Sequence, residues 1–141
     1  MRSKNELMIA ESCWSKFIPL DWCGPLLLCE AEVRRIPSEI GGVYLLQAFS
    51  TTHGQYAVLY AGKAVDLLAR LSQHCQSLTT SPDIRIARET FRLFFSAAPV
   101  LNGALRSRIE AGLILRLRPP FNRQIPKVAP ALTSLPPLSL L

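Results

Sequence analysis

Two hydrophobic rhythms alternate through the middle of the chain. Val43 to Phe49, VYLLQAF, is a short apolar and β-prone run entered through Gly41-Gly42, and it predicts a strand. Thr51 to Gln55, with His53-Gly54, carries turn residues, and Tyr56 to Ala61 predicts a returning strand, so the two runs make a hairpin. From about Ala64 to Gln76 the period lengthens to that of a helix: Ala64, Leu67, Leu68, Leu71 and Cys75 share one face, while Lys63, Asp66, Arg70 and His74 line another. A polar loop containing Pro82 follows, then a strand over Phe91 to Ser96 and a helix from about Gly103 to Leu117, which Pro119-Pro120 stops. The flanks are less regular. Residues 1–39 are mixed in pattern, with Trp14, Phe17, Ile18 and Trp22 as packing residues and a short helix expected over Leu26 to Val33. Pro126 to Leu141 holds four of the eleven prolines and no period, as a peripheral arm would.

Length changes this picture only by bounding it: 141 residues, 49% hydrophobic, suit one domain with one core and short extensions. The longest apolar runs, LLLC and LFF, fall far short of the roughly 20 residues a membrane span needs. The first residues, MRSKNELMIAES, include acidic side chains where a secretory signal needs an apolar run, so a soluble, cytoplasmic protein with no membrane partner is expected. Cys13, Cys23, Cys29 and Cys75 form no C-x-x-C pair, and the two histidines supply no zinc spacing; the cysteines are expected to be small buried apolar groups.

Charge is more informative. From Met1 to Leu59 there are five basic and six acidic residues, whereas from Tyr60 to Arg123 there are ten basic and four acidic. Nine of those ten are Arg, whose planar fork matches phosphate oxygens, and a polyanion, nucleic acid first, is the partner this implies. An arginine-rich surface that merely keeps a hydrophobic domain soluble is the competing account.

Two places concentrate candidate chemistry. Tyr60-Ala61-Gly62-Lys63 runs into the first helix, so a phenol, an ammonium and helical N–H groups are expected near one another, with Gly62 where the backbone turns or approaches a ligand. Each member also has a structural account: Tyr60 as a strand residue closing the core, Arg70 as a surface charge, His74 as a partner of the helix C-terminal dipole. In the second helix Glu110 is flanked by Ile109, Leu113, Ile114 and Leu117, so a carboxylate falls within the apolar stripe and needs a partner. A divalent cation would serve, since Mg²⁺ favours one or two carboxylates with water and phosphate oxygens. Pairing with Arg106 one turn earlier, or a place at the stripe's edge, would serve as well.

Taken together, GVY at Gly42-Val43-Tyr44, YAG at Tyr60-Ala61-Gly62, Arg70, Glu110 and Asn122 after the proline pair resemble the GIY-YIG endonuclease domain. LYAGKAVDLLARL is similar to the N-terminal nuclease domain of the bacterial excinuclease. The resemblance divides the chain into an N-terminal extension (1–40) packing on the domain, a nuclease-like domain (41–123) and a Pro-rich tail (124–141). It implies an α/β (α+β) fold, a three-stranded antiparallel sheet flanked by helices, and hydrolysis of a DNA phosphodiester with Mg²⁺ or Mn²⁺. Glu110 would hold the metal, Arg70 would bind the scissile phosphate, and Tyr60 would take the proton from water, with Lys63 lowering its pKa. Tyr44 would position water or phosphate, Asn122 would orient the site, and Gly62 and His74 would join Arg70 and Lys63 against the substrate. The middle Ala61 stands where the family's second signature has isoleucine, and the signature tyrosines lie sixteen residues apart, so the hairpin is longer than the family's compact form. No zinc finger or helix-turn-helix accompanies the domain. An inactive nucleic-acid-binding module and a protein-interaction or regulatory domain are the alternatives. RNA as substrate, a homodimer and a protein partner all stay open.

Overall fold

The computed structural model describes residues 20–76 and 81–122. Within them, eight elements occur in the order β1 (Cys23–Leu27), α1 (Glu30–Val33), β2 (Gly42–Ser50), β3 (Gln55–Ala64), α2 (Leu67–Cys75), α3 (Pro82–Thr90), β4 (Leu93–Pro99) and α4 (Gly103–Leu117). The four strands make one antiparallel sheet in the order β1-β4-β2-β3. This is the expected α+β architecture with a fourth strand added at one edge.

The sheet owes its central position to β2, whose residues Gly42 to Ala48 are all buried. Side-chain alternation sends Val43 and Leu45 to one face, where they pack with Ala61, Ala98 and, from α4, Ile109, Leu113 and Ile114. Tyr44, Leu46 and Ala48 go to the other, against Leu67 and Leu71 of α2, Ile84 and Ala87 of α3, and Phe95 and Ala97 of β4. Trp22 and the half-buried Leu20 complete the α4 face. Cys13, Trp14, Phe17, Ile18 and the residues after Asn122 lie outside the described residues.

The hairpin is present as expected, with a turn over 51–54, Gly54 at φ +64°, and a register shift between Leu46 and Gln47 that leaves Leu59 as an extra residue in β3. Four local expectations are corrected. Leu26 to Val33 is not a helix: Cys23–Leu27 is a strand on β4, and the helix is confined to Glu30–Val33. Pro25 lies within the register shift of this edge strand, the one kind of strand position that tolerates a residue without an N–H. The loop expected around Pro82 is helix α3, with Ser81 Oγ accepting from the Ile84 N–H at 3.4 Å, Pro82 in the first turn and Asp83 behind it. The last strand begins at Leu93 and runs to Pro99. Finally, β3 continues to Ala64, and α2 starts only after Asp66, whose carboxylate accepts from the Ala69 N–H at 3.2 Å.

Cys23 is exposed while Cys29 and Cys75 are half-buried, all three as free thiols, so Cys23 departs from the buried role expected of it. No helix among the described residues is long and apolar enough to cross a membrane.

Candidate active site

Beneath α2, two phenols, an imidazole and a guanidinium meet on one face of the sheet. Tyr44 on β2 stands opposite Gly62 on β3, and Tyr60 stands opposite Leu46, so the two tyrosines are diagonal neighbours with ring centroids 6.1 Å apart. A Cβ on Gly62 would fall 2.5 Å from the Tyr44 ring and 2.6 Å from its hydroxyl. The second-signature glycine is therefore the space into which the first-signature tyrosine packs. From α2, His74 lies over both rings, at 5.5 Å from Tyr44 and 5.9 Å from Tyr60, and its Nε2 shares a 2.9 Å hydrogen bond with the Tyr44 hydroxyl. Arg70, one turn earlier on the same helix, interacts with both phenols and donates to Gln73 Oε1 at 2.7 Å.

Burial sets the charge states here. His74 is 1% exposed, and burial, then Arg70 and Arg88, push its pKa down to about 4, so the imidazole is neutral at pH 7. Tyr44 is fully buried, and burial first, then the neighbouring Tyr60, raises its pKa well above the ordinary phenol value against the pull of Arg70. It stays a neutral phenol. Burial opposes the charge on Arg70, but the two phenols outweigh it and raise its pKa.

Lys63 is not part of this group. Because β3 extends to Ala64, alternation puts Lys63 on the face of Ala61, toward α4, where its ammonium donates to Ser107 Oγ at 2.8 Å. The expected ridge of Lys63, Arg70 and His74 on one helix is thereby broken up. The Lys63 ammonium faces away from the phenols, toward Glu110, and the cation beside the phenols is Arg70.

Glu110 sits at the edge of the α4 stripe rather than within it, half-buried beside buried Ile109, Leu113 and Ile114. Burial raises its pKa and Lys63 partly offsets this. Arg106 is otherwise engaged, donating to the carbonyls of Val100 at 3.0 Å and Leu101 at 3.1 Å, so the expected pairing one turn earlier is not made.

Between these groups runs the outer edge of β3. Arg118 adopts a left-handed conformation (φ 46°, ψ 55°) that ends α4, and the Pro119-Pro120 segment brings the chain back along this edge. The Phe121 N–H donates to the Leu59 carbonyl at 2.9 Å. Asn122 then clamps Ala61 at two points, accepting from its N–H and donating to its carbonyl, both at 2.8 Å. A single amide so fixes the residue between Tyr60 and Gly62. Strand β3 thus stands between the Tyr44-Tyr60-Arg70-His74 group on one face and Lys63, Ser107 and Glu110 on the other, and it supplies a member to each.

Sequence reasoning missed Ser107 as the partner of Lys63, for which serine at a helix position offers no pattern. It also underestimated His74, which the register Arg70-x-x-x-His74 places one turn along the same face, but whose pairing with Tyr44 depends on tertiary packing.

No protein-family model and no curated protein matches the chain. It is similar to solved structures of the GIY-YIG N-terminal endonuclease domain of UvrC from Thermotoga maritima. One, bound to magnesium as its catalytic divalent cation, is 24% identical and covers 64% of this chain and 96% of that one, with a TM-score of 0.49. Another, a point mutant bound to its catalytic divalent cation, is 23% identical and covers 66% of this chain and 97% of that one, also with a TM-score of 0.49.

Proposed function

We propose that this protein is a divalent-metal-dependent DNA endonuclease that hydrolyses a phosphodiester. The observation that carries the reading is the Tyr44-Tyr60-Arg70-His74 cluster, assembled beside the edge strand that also bears Lys63 and abuts Glu110. The sequence signature and the Arg-rich segment from Tyr60 to Arg123 support the same chemistry.

Arg70 binds the scissile phosphate and offsets charge on its oxygens; its raised pKa keeps it cationic at any working pH. Tyr44, held neutral and fixed by His74, donates or accepts a hydrogen bond and does not ionise. Tyr60, less buried and against Arg70, takes the proton from the attacking water. Asn122 keeps Tyr60 and Gly62 in place by fixing the backbone between them.

The donor set suits Mg²⁺ or Mn²⁺ in one respect. Among the described residues no group of three or more acidic, His or Cys side chains converges, but a hard cation that keeps most of its water needs only one carboxylate and substrate phosphate, and half-buried Glu110 offers that carboxylate. A bound divalent ion would supply Lewis-acid stabilisation of the phosphoryl oxygens. Lys63, on the same face, lowers the cost of the Glu110 charge.

The test is conversion of supercoiled plasmid to open-circle or linear forms with Mg²⁺, Mn²⁺ or EDTA, comparing wild type with Glu110→Gln. Metal-dependent nicking should be lost in the variant, while binding to DNA persists and thermal stability at pH 7 to 8 is equal or slightly higher, within about 1 kcal/mol, because a carboxylate partly screened by solvent is removed from a desolvating position. Undiminished cleavage by Glu110→Gln would sink the assignment of Glu110; a large loss of stability would favour the interaction-domain alternative.

A further inference from the structure

We infer that the groove at the tip of the β2-β3 hairpin is a stacking shelf for unpaired nucleotides, which would give the proposed nuclease a preference for DNA that carries a single-stranded stretch. This rests on the nuclease reading. The groove, of about 790 Å³, lies between the hairpin and the α3-β4 turn and is lined by Phe49, Tyr56, Leu59, Phe91, Arg92 and Phe94 among others. Tyr56 meets Phe49 and Phe94 edge-on, with centroids 5.1 and 5.2 Å apart. Two of these rings remain open to solvent, Phe49 at 43% and Phe91 at 51% exposed. Exposed aromatic rings at an accessible rim offer faces to nucleobases, and such stacking is indifferent to sequence.

The composition of the lining favours a nucleic acid over an apolar protein segment as occupant. Among the described residues the lining contains no carboxylate, its one charged side chain is Arg92, and hydroxyls of the turn residues Ser50, Thr51 and Thr52 and of Thr90 border the rings, which is the composition a polyanion with flat apolar bases needs. Leu59 in its wall directly precedes Tyr60, so the groove and the candidate site share β3, although Phe49, Tyr56 and Phe94 lie on the sheet face opposite Tyr44 and Tyr60. The long hairpin, which the signature spacing marks out, supplies one wall of this groove.

The experiment measures binding in EDTA to a fully paired duplex and to the same duplex with a gap of about six nucleotides, using wild type, Phe91→Ala, Phe49→Ala/Phe91→Ala and Phe91→Trp. Wild type should prefer the gapped DNA. The alanine variants should lose about tenfold on gapped DNA per base no longer stacked, with paired-duplex affinity unchanged, and Phe91→Trp should retain the preference. Equal losses on both DNAs, or none on either, overturn the shelf, as does a fall in stability without a change in binding, which would mean that the rings serve packing alone. If the double variant does not fold, the half-exposed Phe91 alone, in its Ala and Trp forms, decides the matter. Cutting of the gapped DNA by wild type with Mg²⁺ is scored separately. Cutting independent of Phe49 and Phe91 removes the shelf and keeps the nuclease; ring-dependent binding without cutting removes the nuclease and keeps the shelf.

Discussion

His74 is where stability and chemistry meet in one side chain. Its neutral form is favoured by burial and by two flanking arginines, so the folded state resists protonation more than the unfolded chain does. The stabilisation is full above the unfolded value near 6.5 and is lost as pH falls from there through about 4. The loss should reach on the order of 3 kcal/mol, from 1.36 kcal/mol per pKa unit. Melting temperatures of wild type measured from pH 7.5 to 4 should fall more steeply than those of His74→Gln, which is less stable at neutral pH but lacks this titration; parallel profiles would refute the assignment. Gly62 shows the opposite economy, a side chain dispensed with because the Tyr44 ring fills its place. Gly62→Ala should cost about 1–3 kcal/mol as an overpacked core substitution, read by denaturant unfolding, and should shift the Tyr44 hydroxyl off His74.

Among elements, β3 decides the layout of the candidate site. Had the helix begun at Ala64, Lys63 would have shared a ridge with Arg70; because the strand persists to Ala64 and Asp66 caps α2, Lys63 crosses to the α4 face. Apolar patterning revealed β2, the hairpin and α4, since long runs and clear breakers carry strong local signals. It was silent on register, so the extension of β3 to Ala64 and the separation it causes were not legible. Strand β1 was hidden by Pro25, and α3 by reading Pro82 as a breaker when Ser81-Pro82-Asp83 is a helix start. Residue identities named the members of the site, while their division between two faces required the sheet. The edge of β3 is also its most exposed dependence. Asn122→Ala removes both hydrogen bonds to Ala61 and should lower stability by about 1–3 kcal/mol, with faster hydrogen exchange at the Ala61 amide; an unchanged exchange rate would show that water replaces the clamp at no cost.

For the molecule as a whole, the ten basic and four acidic residues between Tyr60 and Arg123 make salt dependence a direct test of the proposed polyanionic partner. DNA affinity should fall with log salt at a slope of about −0.9 per phosphate engaged, measured by anisotropy in EDTA. A slope near zero would leave the interaction-domain reading in place. The return of the chain at Asn122 has a bearing on when this protein becomes competent. Asn122 bonds to a residue sixty-one positions earlier. Contacts of such separation form late, after the loop they close has been ordered. A ribosome-bound chain can therefore assemble the hairpin and α2 well before Asn122 emerges, yet it does so with the β3 edge unlatched.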